Sequence, residues 1–393
     1  MRRPLEGIRV LDLTTMMAGP FGSMTLGDLG AEVIKIESPS QGDGTRTFPP
    51  YFHHGVSAYF LSLNRNKKSV TIDLKKERGR EIFYRLTERS DVVYDNFRPG
   101  ILTNLKIDYT TLAAINPRII CSSITAFGSD SPYGDRPAYD LTIQALSGVM
   151  SLTGEPGGAP LRMGIPTGDL AGALFSVIGI MGALRERDLS GRGRMVDISL
   201  LDSQLSLLTY QAAYYFLSGV LPEPLGSSHT SIVPFQAFKA RDGYFCVAVV
   251  GERMWGRFCR AIERGELVAD RRFASGADRL HHRRELTSEL AGIFSTKSRG
   301  LWVERLQREG VPAAPVNNLA EALAEPAVLA RNMVIEVDHR GEKVSLLGNP
   351  VKLDGMNEEY SPPAALGQDT EAVLGELGVR AEEFQALKDE GVV

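Results

Sequence analysis

Cysteine is scarce in this sequence: Cys121, Cys246 and Cys259 are the only three, at wide spacings. An odd number with no close pair argues against both a disulfide framework and a zinc site. The six histidines form no catalytic constellation, and His53-His54, His281-His282 and His339 stand in polar surroundings typical of a surface. The sequence therefore predicts no metal site.

Several other signals are also missing. The formal net charge of −4 gives no general attraction to nucleic acid or to anionic lipid, so neither a nucleic acid nor a membrane is expected as a partner. The apolar run near the start is broken at Asp12, which is unlike a signal peptide, so a cytoplasmic location is expected. Neither G-x-G-x-x-G nor a Walker lysine pattern occurs, which disfavours a dinucleotide or P-loop site.

What is present indicates a soluble two-domain protein. The 393 residues exceed one hydrophobic core, and 43% hydrophobic with 23% charged residues is an ordinary globular composition. Strands alternate with helices in the first part, which predicts an α/β fold with a doubly wound, mostly parallel sheet. The segments are strands at 8–13, 31–36, 69–74, 91–95 and 118–124, with helices at 21–29 and 76–86.

The second part changes character after the Pro-rich turn at 222–226, which follows a predicted long helix at 196–217. A β-hairpin at 235–249, three helices and an extended edge segment at 312–316 predict a small α+β domain. A strand pair at 334–347 and a charged terminal helix at 376–388 follow, and we expect this tail to return to the first domain. The predicted domains are a large one at 1–220, completed by 329–393, and a small one at 226–328.

One stretch, Gly164 to Leu184, carries the main functional signal. Apolar residues recur there at helical spacing and nearly all round, which predicts a buried helix too short to span a membrane. Gly172, Gly179 and Gly182 lower helix propensity, and we expect them to permit close approach of another backbone.

Asp169 lies where a Pro/Gly-rich turn meets this helix, and two interpretations are open. The aspartate can act as an N-cap that accepts a free backbone N–H. It can also act as a nucleophile, with the helix terminus favouring its ionised form. Spacing alone favours the cap.

Three strand ends gather groups that suit a phosphate-bearing ligand. In a doubly wound sheet, ligands bind beyond the carboxyl ends of the strands. Those ends carry the loop 14–19, the segment 73–75 with Lys75, and the segment 96–98 with Arg98, and so offer backbone N–H groups and two cations. Ordinary surface charge is an equally good interpretation of Lys75 and Arg98. The basic cluster at 64–68 has the pattern of a solvated surface.

The order and spacing of several short motifs resemble those of the class III coenzyme A transferases, the family that includes formyl-CoA transferase and the carnitine CoA-transferases. Each motif is weak alone, but together they span nearly the full chain. They are VLDL at 10–13, AGP at 18–20, LGAEVIKIE at 29–37, GD at 42–43 with Arg46, NRNKKS at 64–69, NFRPG at 96–100, PAYD at 137–140, GD at 168–169 with Gly172, and GRG at 191–193.

The resemblance implies a site and an assembly. It implies that Asp169 is the catalytic aspartate and that a CoA thioester is a substrate, with no tightly bound cofactor. It implies a Rossmann-like large domain and a small domain, in two protomers interlocked like linked rings. The residues implied to line the coenzyme A site are Met17, Ala18, Ile72, Leu74, Lys75, Asn96, Phe97, Arg98, Ala138 and Tyr139.

The chain departs from the family pattern at three places. Ser38 and Asn104 stand where relatives often carry arginines, so phosphate contacts fall to Arg46, Lys75 or Arg98. A glycine run of formyl-CoA transferase is missing, and the segment from Gly226 to His229 stands in that region as a possible substrate loop. This lowers the case for formate and oxalate as substrates.

The implied mechanism is stepwise covalent transfer through an aspartyl anhydride and an aspartyl-CoA thioester. The implied partners are an acyl-CoA such as succinyl-CoA, a carboxylic acid and a second copy of the chain. One alternative is an α-methylacyl-CoA racemase, which shares the fold but places a histidine before the aspartate that matches Asp140, where this chain has Tyr139. Another alternative is a non-catalytic acyl-CoA binding protein.

Overall fold

The computed structural model describes residues 3–134 and 136–393. The strands, in chain order, are β1 Arg9–Asp12, β2 Glu32–Glu37, β3 Phe52–His53, β4 Val56–Ser57, β5 Lys67–Thr71, β6 Val92–Asp95, β7 Ile120–Thr125, β8 Met195–Ser199, β9 Phe235–Ala240, β10 Gly243–Ala248, β11 Ala313–Pro315, β12 Val334–His339 and β13 Glu342–Leu347. The helices are α1 Ala18–Asp28, α2 Ala58–Leu61, α3 Glu77–Thr87, α4 Ile101–Asn104, α5 Tyr109–Ile115, α6 Asp140–Leu146, α7 Val149–Leu152, α8 Thr167–Ser190, α9 Leu200–Ser206, α10 Thr209–Ser218, α11 Glu252–Ala261, α12 Gly276–His281, α13 Arg283–Phe294, α14 Arg299–Arg308, α15 Leu319–Leu323, α16 Pro326–Ala330, α17 Thr370–Glu376 and α18 Ala381–Asp389.

The chain divides into two compact units. Unit 1 comprises the described residues of Met1–Val149, Arg162–Ser218 and Leu329–Val393, and unit 2 comprises Met150–Leu161 and Gly219–Val328. The C-terminal segment thus belongs to the same unit as the N-terminal strands. The limits of the three predicted domain segments stay a prediction.

Unit 1 is built on a six-stranded sheet in the order β5-β2-β1-β6-β7-β8, with every neighbouring pair parallel. Side chains alternate between its two faces, as the period of a strand requires. Val10 joins a buried cluster that includes α1 and α8, whereas Leu11 joins a second cluster that includes α3 and the C-terminal helices. The predicted α/β class with a parallel central sheet is confirmed.

The C-terminal segment covers the free edge of β5. The backbone N–H of Ser69 donates to the Asp369 carboxylate at 2.8 Å, and that of Thr71 donates to the Thr370 hydroxyl at 3.0 Å. An exposed strand edge invites pairing with other chains, and these contacts satisfy it. The prediction of one helix at 376–388 is wrong, because the chain turns at Gly378 with φ +83° and leaves two short helices.

The predicted long helix at 196–217 is also wrong. The segment Met195–Ser199 forms β8, parallel to β7, and places Val196 and Ile198 against the cluster around α8. The β7 edge offers backbone partners that a helix there would leave unpaired, so tertiary pairing overrides the helical spacing. The hydroxyl of Ser199 then caps α9 by accepting from the Asp202 N–H at 3.1 Å.

Helix α8 is packed closely on one side. A Cβ at Gly172 would lie 2.5 Å from the Leu200 side chain, and one at Gly179 would lie 2.6 Å from Val196. Two of the three predicted glycines therefore permit close packing, although against side chains rather than another backbone. A Cβ at Gly182 would meet nothing within 4 Å.

The other side of α8 corrects the prediction of a fully buried helix. Leu174, Phe175, Ile178 and Met181 are exposed in the single chain, Ile178 at 63%. The length prediction is wrong as well, because the 24-residue helix is long and apolar enough to cross a bilayer by length and composition alone. Just over half of its most apolar window, 56%, is buried inside the protein.

The basic cluster at 64–68 is a further correction, because two of its three charges, Arg65 and Lys67, are buried, while Lys68 stays partly exposed. Arg65 donates to both carboxylate oxygens of Asp28, at 2.9 and 2.6 Å. Lys67 lies 3.2 Å from the Asp12 carboxylate, and burial lowers the pKa of Lys67 to about 8. A run of charges that looks solvent-exposed in the sequence thus includes buried cations, and each of these is paired with a carboxylate because an unpaired buried charge is costly.

Unit 2 has its own core beneath an antiparallel sheet in the order β11-β10-β9. The predicted hairpin and the edge segment of prolines are confirmed. Trp255, Phe294 and Trp302 fill the core, and the Trp302 indole N–H donates to the Phe294 carbonyl at 2.9 Å. Gly226 and His229 both belong to this unit, and the Gly226 N–H donates to the Gly154 carbonyl at 2.8 Å. The role of these two residues in a substrate loop stays a prediction.

Candidate active site

A cavity of about 300 Å³ opens in unit 1 beyond the carboxyl ends of β1, β6 and β7. This is the position at which a parallel α/β sheet binds its ligands. Eight of the residues predicted from the sequence line this one cavity: Met17, Ala18, Asn96, Phe97, Arg98, Ala138, Tyr139 and Asp169.

Three residues predicted for the coenzyme A site do not line the cavity. Ile72 is buried in the core on the other face of the sheet, and Leu74 packs partly against the same core. Lys75 is exposed at the end of the segment that follows β5, which is the outermost strand of the sheet. These three residues lie near one another along the chain, but none of them contributes to the lining of the cavity.

The cavity also contains residues that were not named individually as site residues. Thr15 and Met16 line it as part of the loop 14–19 predicted at this strand end, and Met16 has a φ of +71°, a left-handed conformation uncommon outside glycine. Phe127 and Arg136 come from the long loop at 126–137. The length of that loop was the available signal, since long loops in compact domains are often functional.

The loop between β1 and α1 is held rigidly beside the cavity. The Asn96 side chain makes a reciprocal pair with Thr15, accepting from its N–H at 2.9 Å and donating to its carbonyl at 2.8 Å. The Asp12 carboxylate accepts from the Thr14 N–H at 2.9 Å, and the buried Lys35 ammonium donates to the Thr14 carbonyl at 2.6 Å. Asn96 therefore orders the site through the loop as well as lining it.

Helix α1 directs its amino end at the same cavity. It begins at Ala18, directly after Met17, and has neither a side-chain cap nor an acidic residue in its first turn. The first N–H groups of a helix have no partner within it and carry partial positive charge. The amino end of α1 can therefore donate to an anionic or carbonyl oxygen.

One arginine considered for phosphate contacts is already engaged. Arg46 donates to both oxygens of Glu37, at 2.8 and 2.6 Å, and its guanidinium lies 4.0 Å from the centre of the Phe60 ring. The side chain is buried within unit 1. Among the described residues that line the cavity, Arg98 and Arg136 are the cations, and neither histidine nor cysteine is present.

Asp140, and not Asp169, supplies the acceptor that caps helix α8. Its buried carboxylate accepts from the Gly168 N–H at 2.9 Å and from the Asp169 N–H at 3.3 Å, and so caps the first turn of α8. The N-cap position of α8 is Pro166, and Asp169 lies in the first turn. Because Asp140 supplies the cap, the Asp169 carboxylate is not needed for that role.

A buried glutamine extends this arrangement. The Gln144 amide donates to the second Asp140 oxygen at 2.7 Å and accepts from the Met163 N–H at 2.9 Å. It thereby ties the start of α6 to the turn that precedes α8. A side chain whose partners fix its rotamer holds its neighbours in place, so Asp140 and Gln144 are positioning residues for Asp169.

The electrostatics of Asp169 differ from the expectation. The helix terminus was expected to favour the ionised form, but burial raises the pKa of Asp169 to about 7, with the negative charge of Asp140 as the second cause. Donors that would stabilise the charge are already occupied by Asp140, so desolvation dominates. The Asp169 carboxyl therefore holds its proton more tightly than an exposed aspartate does.

An aromatic hydroxyl lies in the field of the same carboxylate. Burial raises the pKa of Tyr59 to about 12, and the charge of Asp169 contributes as the second cause. Tyr59 follows Ser57, whose hydroxyl caps the short helix α2 by accepting from the Tyr59 N–H at 3.1 Å. Sequence analysis gave no signal for Tyr59.

The fold and the cavity define an α/β protein that binds its ligand at the carboxyl edge of a parallel sheet, beside an acidic group of raised pKa. Comparison with known families then identifies the class. The family described as CoA-transferase family III matches residues 5–370 of this chain. The chain belongs to this family.

Characterised relatives agree with that assignment. The chain is 38% identical over 377 residues to succinyl-CoA:glutarate CoA-transferase of Homo sapiens, covering 95% of this chain and 86% of that protein. It is also 38% identical over 363 residues to acetyl-CoA:oxalate CoA-transferase of Acetobacter aceti, covering 92% of each. A solved CAIB/BAIF family protein from Brucella suis superposes with a TM-score of 0.86 at 38% identity, covering 96% of this chain and 100% of that chain. The protein is an enzyme that transfers coenzyme A.

Proposed function

We propose that this enzyme transfers coenzyme A from succinyl-CoA to a dicarboxylic acid, with the Asp169 carboxylate as the covalent carrier. The observation that carries the proposal is a partly buried carboxylate in the cavity whose capping role has been taken over by Asp140. A carboxylate can carry an acyl group only if its oxygens are available to an electrophile.

The first half of the reaction forms two covalent intermediates. An Asp169 oxygen attacks the thioester carbonyl, the C–S bond breaks, and coenzyme A leaves as a thiolate to give a mixed anhydride. The thiolate then attacks the Asp169 carbonyl carbon, the C–O bond to the donor acyl group breaks, and the donor acid leaves as a carboxylate. An aspartyl thioester of coenzyme A remains.

The second half reverses these steps with the acceptor acid. The acceptor carboxylate attacks the aspartyl thioester, and the thiolate leaves to give a second anhydride. The thiolate attacks the acceptor carbonyl, and the Asp169 carboxylate is released together with the new acyl-CoA. Oxygens that become negative in each step need fixed donors, and the amino end of α1 offers backbone N–H groups beside the cavity.

The pKa of Asp169 makes turnover dependent on pH. Only the ionised carboxylate attacks, and the raised pKa of about 7 means that the ionised fraction grows as pH rises through neutrality. We expect kcat/KM for the acyl-CoA to rise between about pH 6 and pH 8 and then level off. Initial rates across that range, with enzyme stability checked at each pH, measure this; a rate that is flat down to about pH 5 would contradict it.

Arg98 is proposed to hold the anionic end of the acyl-CoA. It is exposed, lines the cavity, and comes from the segment after β6. We expect Arg98→Ala to raise KM for the acyl-CoA by roughly tenfold with little change in kcat, because phosphate binding is equal in the ground and transition states. The effect should shrink at high salt.

Lys75→Ala is the matched comparison for Arg98→Ala. Lys75 is also exposed at a strand end, but it lies outside the cavity. A rise in KM for both variants would support the family-implied site that includes Ile72, Leu74 and Lys75, with the ligand extending past the cavity. A rise for neither would contradict phosphate binding at this edge of the sheet.

The choice of substrates rests on the relatives. Proteins of Homo sapiens, Agrobacterium fabrum and Haloarcula hispanica that resemble this chain are named for succinate or succinyl-CoA paired with glutarate or mesaconate. Arg136, the second cation of the cavity lining, suits an acid with two carboxylates. Purified enzyme with succinyl-CoA and a panel of glutarate, mesaconate, oxalate and a monocarboxylate tests this by chromatography of the acyl-CoA products.

The racemase alternative lacks its base at the expected position. Tyr139 stands there, exposed at the N-cap of α6, and the adjacent Asp140 is engaged by backbone N–H groups and Gln144. Racemisation needs an acid and a base on opposite faces of the α-carbon. Exchange of the substrate α-proton in heavy water without acid transfer would revive that alternative.

We propose further that the chain forms a homodimer, as the family resemblance implied. Helix α10 exposes Tyr214, Tyr215, Phe216 and Leu217, Phe216 at 80%, in addition to the exposed apolar side of α8. Exposed large apolar side chains in this number are typical of a surface that a partner covers. Light scattering should give about twice the 42.9 kDa of one chain, and the mass of a single chain would contradict the proposal.

A further inference from the structure

Three histidines from two distant segments meet in unit 1, away from the cavity residues. His53 and His54 lie at the β3–β4 hairpin, and His339 lies at the end of β12. The ring centres are 4.4 Å apart for His53 and His54 and 5.2 Å apart for His53 and His339. The prediction that all three are surface histidines is wrong for His339, which is 5% exposed.

A carboxylate from the neighbouring turn completes the cluster. One ligand atom each from His53, His54 and Glu342 lies within 4.8 Å of the other two. The His54 Nε2 and a Glu342 oxygen are already 3.4 Å apart. Zinc bonds of about 2.0–2.1 Å in a tetrahedral site place two ligands roughly 3.3 Å apart, so the cluster needs only a modest closure. His54 and Glu342 are exposed and can rotate to provide it.

A second observation points to a missing ligand. The Nδ1 atom of His339 is buried and has no hydrogen-bond partner among the described residues. Buried polar atoms in proteins are almost always paired, so an unpaired imidazole nitrogen calls for a partner that protein atoms do not supply. The His53 Nε2 lies 3.4 Å from the His339 carbonyl, the kind of backbone contact that orients a metal-bound histidine through its second nitrogen.

We propose that His53, His54 and Glu342 bind a divalent transition-metal ion of the zinc class, with the fourth position left to water and with His339 packed against His53 behind the site. Imidazole nitrogens favour zinc, copper and nickel over magnesium and calcium, which require oxygen ligands. The Arg340 guanidinium donates to the His54 carbonyl at 3.0 Å and places positive charge beside the cluster. Coordination by the imidazoles and the Glu342 carboxylate must therefore outweigh that repulsion.

The metal ion would act as a clamp between two hairpins. The β3–β4 hairpin and the β12–β13 hairpin are separated by 286 residues where His53 meets His339. The first hairpin runs directly into α2, and Tyr59 on α2 lies in the electrostatic field of Asp169. A metal at the cluster would therefore stabilise unit 1 and restrain the hairpin that leads into α2.

Zinc binding to tag-free, chelator-treated full-length protein tests the proposal. Titration with ZnCl₂ against a chromogenic chelator should show one tightly bound equivalent per chain. The same protein loaded with Co²⁺ should show the visible absorption bands of tetrahedral cobalt. His54→Ala and Glu342→Gln should each lower zinc affinity by at least about tenfold. Zinc should also raise the melting temperature of the wild type but not of His54→Ala.

The chain offers a matched control in its other histidine pair. His281 and His282 are also adjacent, and the His282 Nδ1 lies 3.0 Å from a Glu285 oxygen, but no third ligand joins them among the described residues. We expect His282→Ala to bind zinc as the wild type does. The proposal is overturned if no stoichiometric zinc binds, or if binding survives in both His54→Ala and Glu342→Gln. Loss of binding in His282→Ala alone would overturn it as well.

Discussion

Replacing Asp169 with alanine should abolish coenzyme A transfer while leaving acyl-CoA binding intact. The side chain would form both covalent intermediates, so its removal eliminates the pathway rather than weakening one contact. Loss of a covalent nucleophile lowers turnover by at least about 10³–10⁴-fold. The residues proposed to hold coenzyme A, such as Arg98, lie on other elements, and binding measured by calorimetry should change little.

Asp188→Ala is the control for that experiment. Asp188 lies on the same helix, near its other end, and is exposed, so its loss should leave turnover close to that of the wild type. Transfer that continues at more than about a hundredth of the wild-type rate in Asp169→Ala would contradict the nucleophile assignment. Loss of acyl-CoA binding together with activity would show that the substitution had damaged the fold.

The isosteric variant Asp169→Asn adds a prediction about stability with a definite sign. Because the folded pKa of Asp169 is raised to about 7, the folded carboxyl holds its proton more tightly than the unfolded chain does. The wild type therefore loses stability as pH rises from about 4 to about 7. The asparagine variant should be more stable than the wild type at pH 8 by roughly 2–4 kcal/mol, and about equally stable at pH 4.

Replacing Asp140 with alanine should have the second largest effect. The substitution removes the acceptor for the Gly168 and Asp169 N–H groups and leaves the Gln144 amide without its main partner. Loss of a helix cap costs about 1–2 kcal/mol, and a nucleophile displaced by about 1 Å loses on the order of 10²-fold in rate. We therefore expect kcat to fall by about 10²-fold with KM nearly unchanged.

Asp140→Asn separates positioning from charge. The amide oxygen can still accept from the Gly168 N–H, so kcat at high pH should recover toward the wild type. Removal of the negative charge that raises the pKa of Asp169 should move the pH profile to lower pH. Asp108→Ala is the matched control, since Asp108 caps α5 by accepting from the Thr111 N–H at 3.2 Å and lies outside the cavity. Equal losses of kcat in Asp108→Ala and Asp140→Ala would contradict a specific role for Asp140.

The sequence was most informative where local pattern and tertiary environment agree. Val10 and Leu11 alternate between two buried faces because both sides of the sheet are covered, and such strands are recognisable from apolar runs. Asp169 could be located because a Gly-rich turn and a long apolar helix mark the boundary on which it lies. The strand-end pattern pointed to the segments 14–19, 73–75 and 96–98, whereas Ile72, Ala138 and Tyr139 came from the family resemblance alone.

The remaining features depend on contacts that sequence spacing does not encode. Asp140 looks like an ordinary first-turn acid of α6, and only folding brings it to the amino end of α8, 28 residues away. The segment from Val196 was predicted to begin a helix on the spacing of its apolar residues, yet the open edge of β7 makes Met195–Ser199 a strand. His53 and His339 are ordinary surface candidates until two distant hairpins bring them together.

The central claim is that Asp169 itself carries an acyl group during turnover. Wild-type enzyme supplied with succinyl-CoA and then quenched with hydroxylamine should yield a hydroxamate on the peptide that contains Asp169, detected by mass spectrometry. The label should require the acyl-CoA and should be absent from Asp169→Asn. A catalytically active enzyme that gives no hydroxamate at Asp169, or gives one at a different carboxylate, would contradict the account.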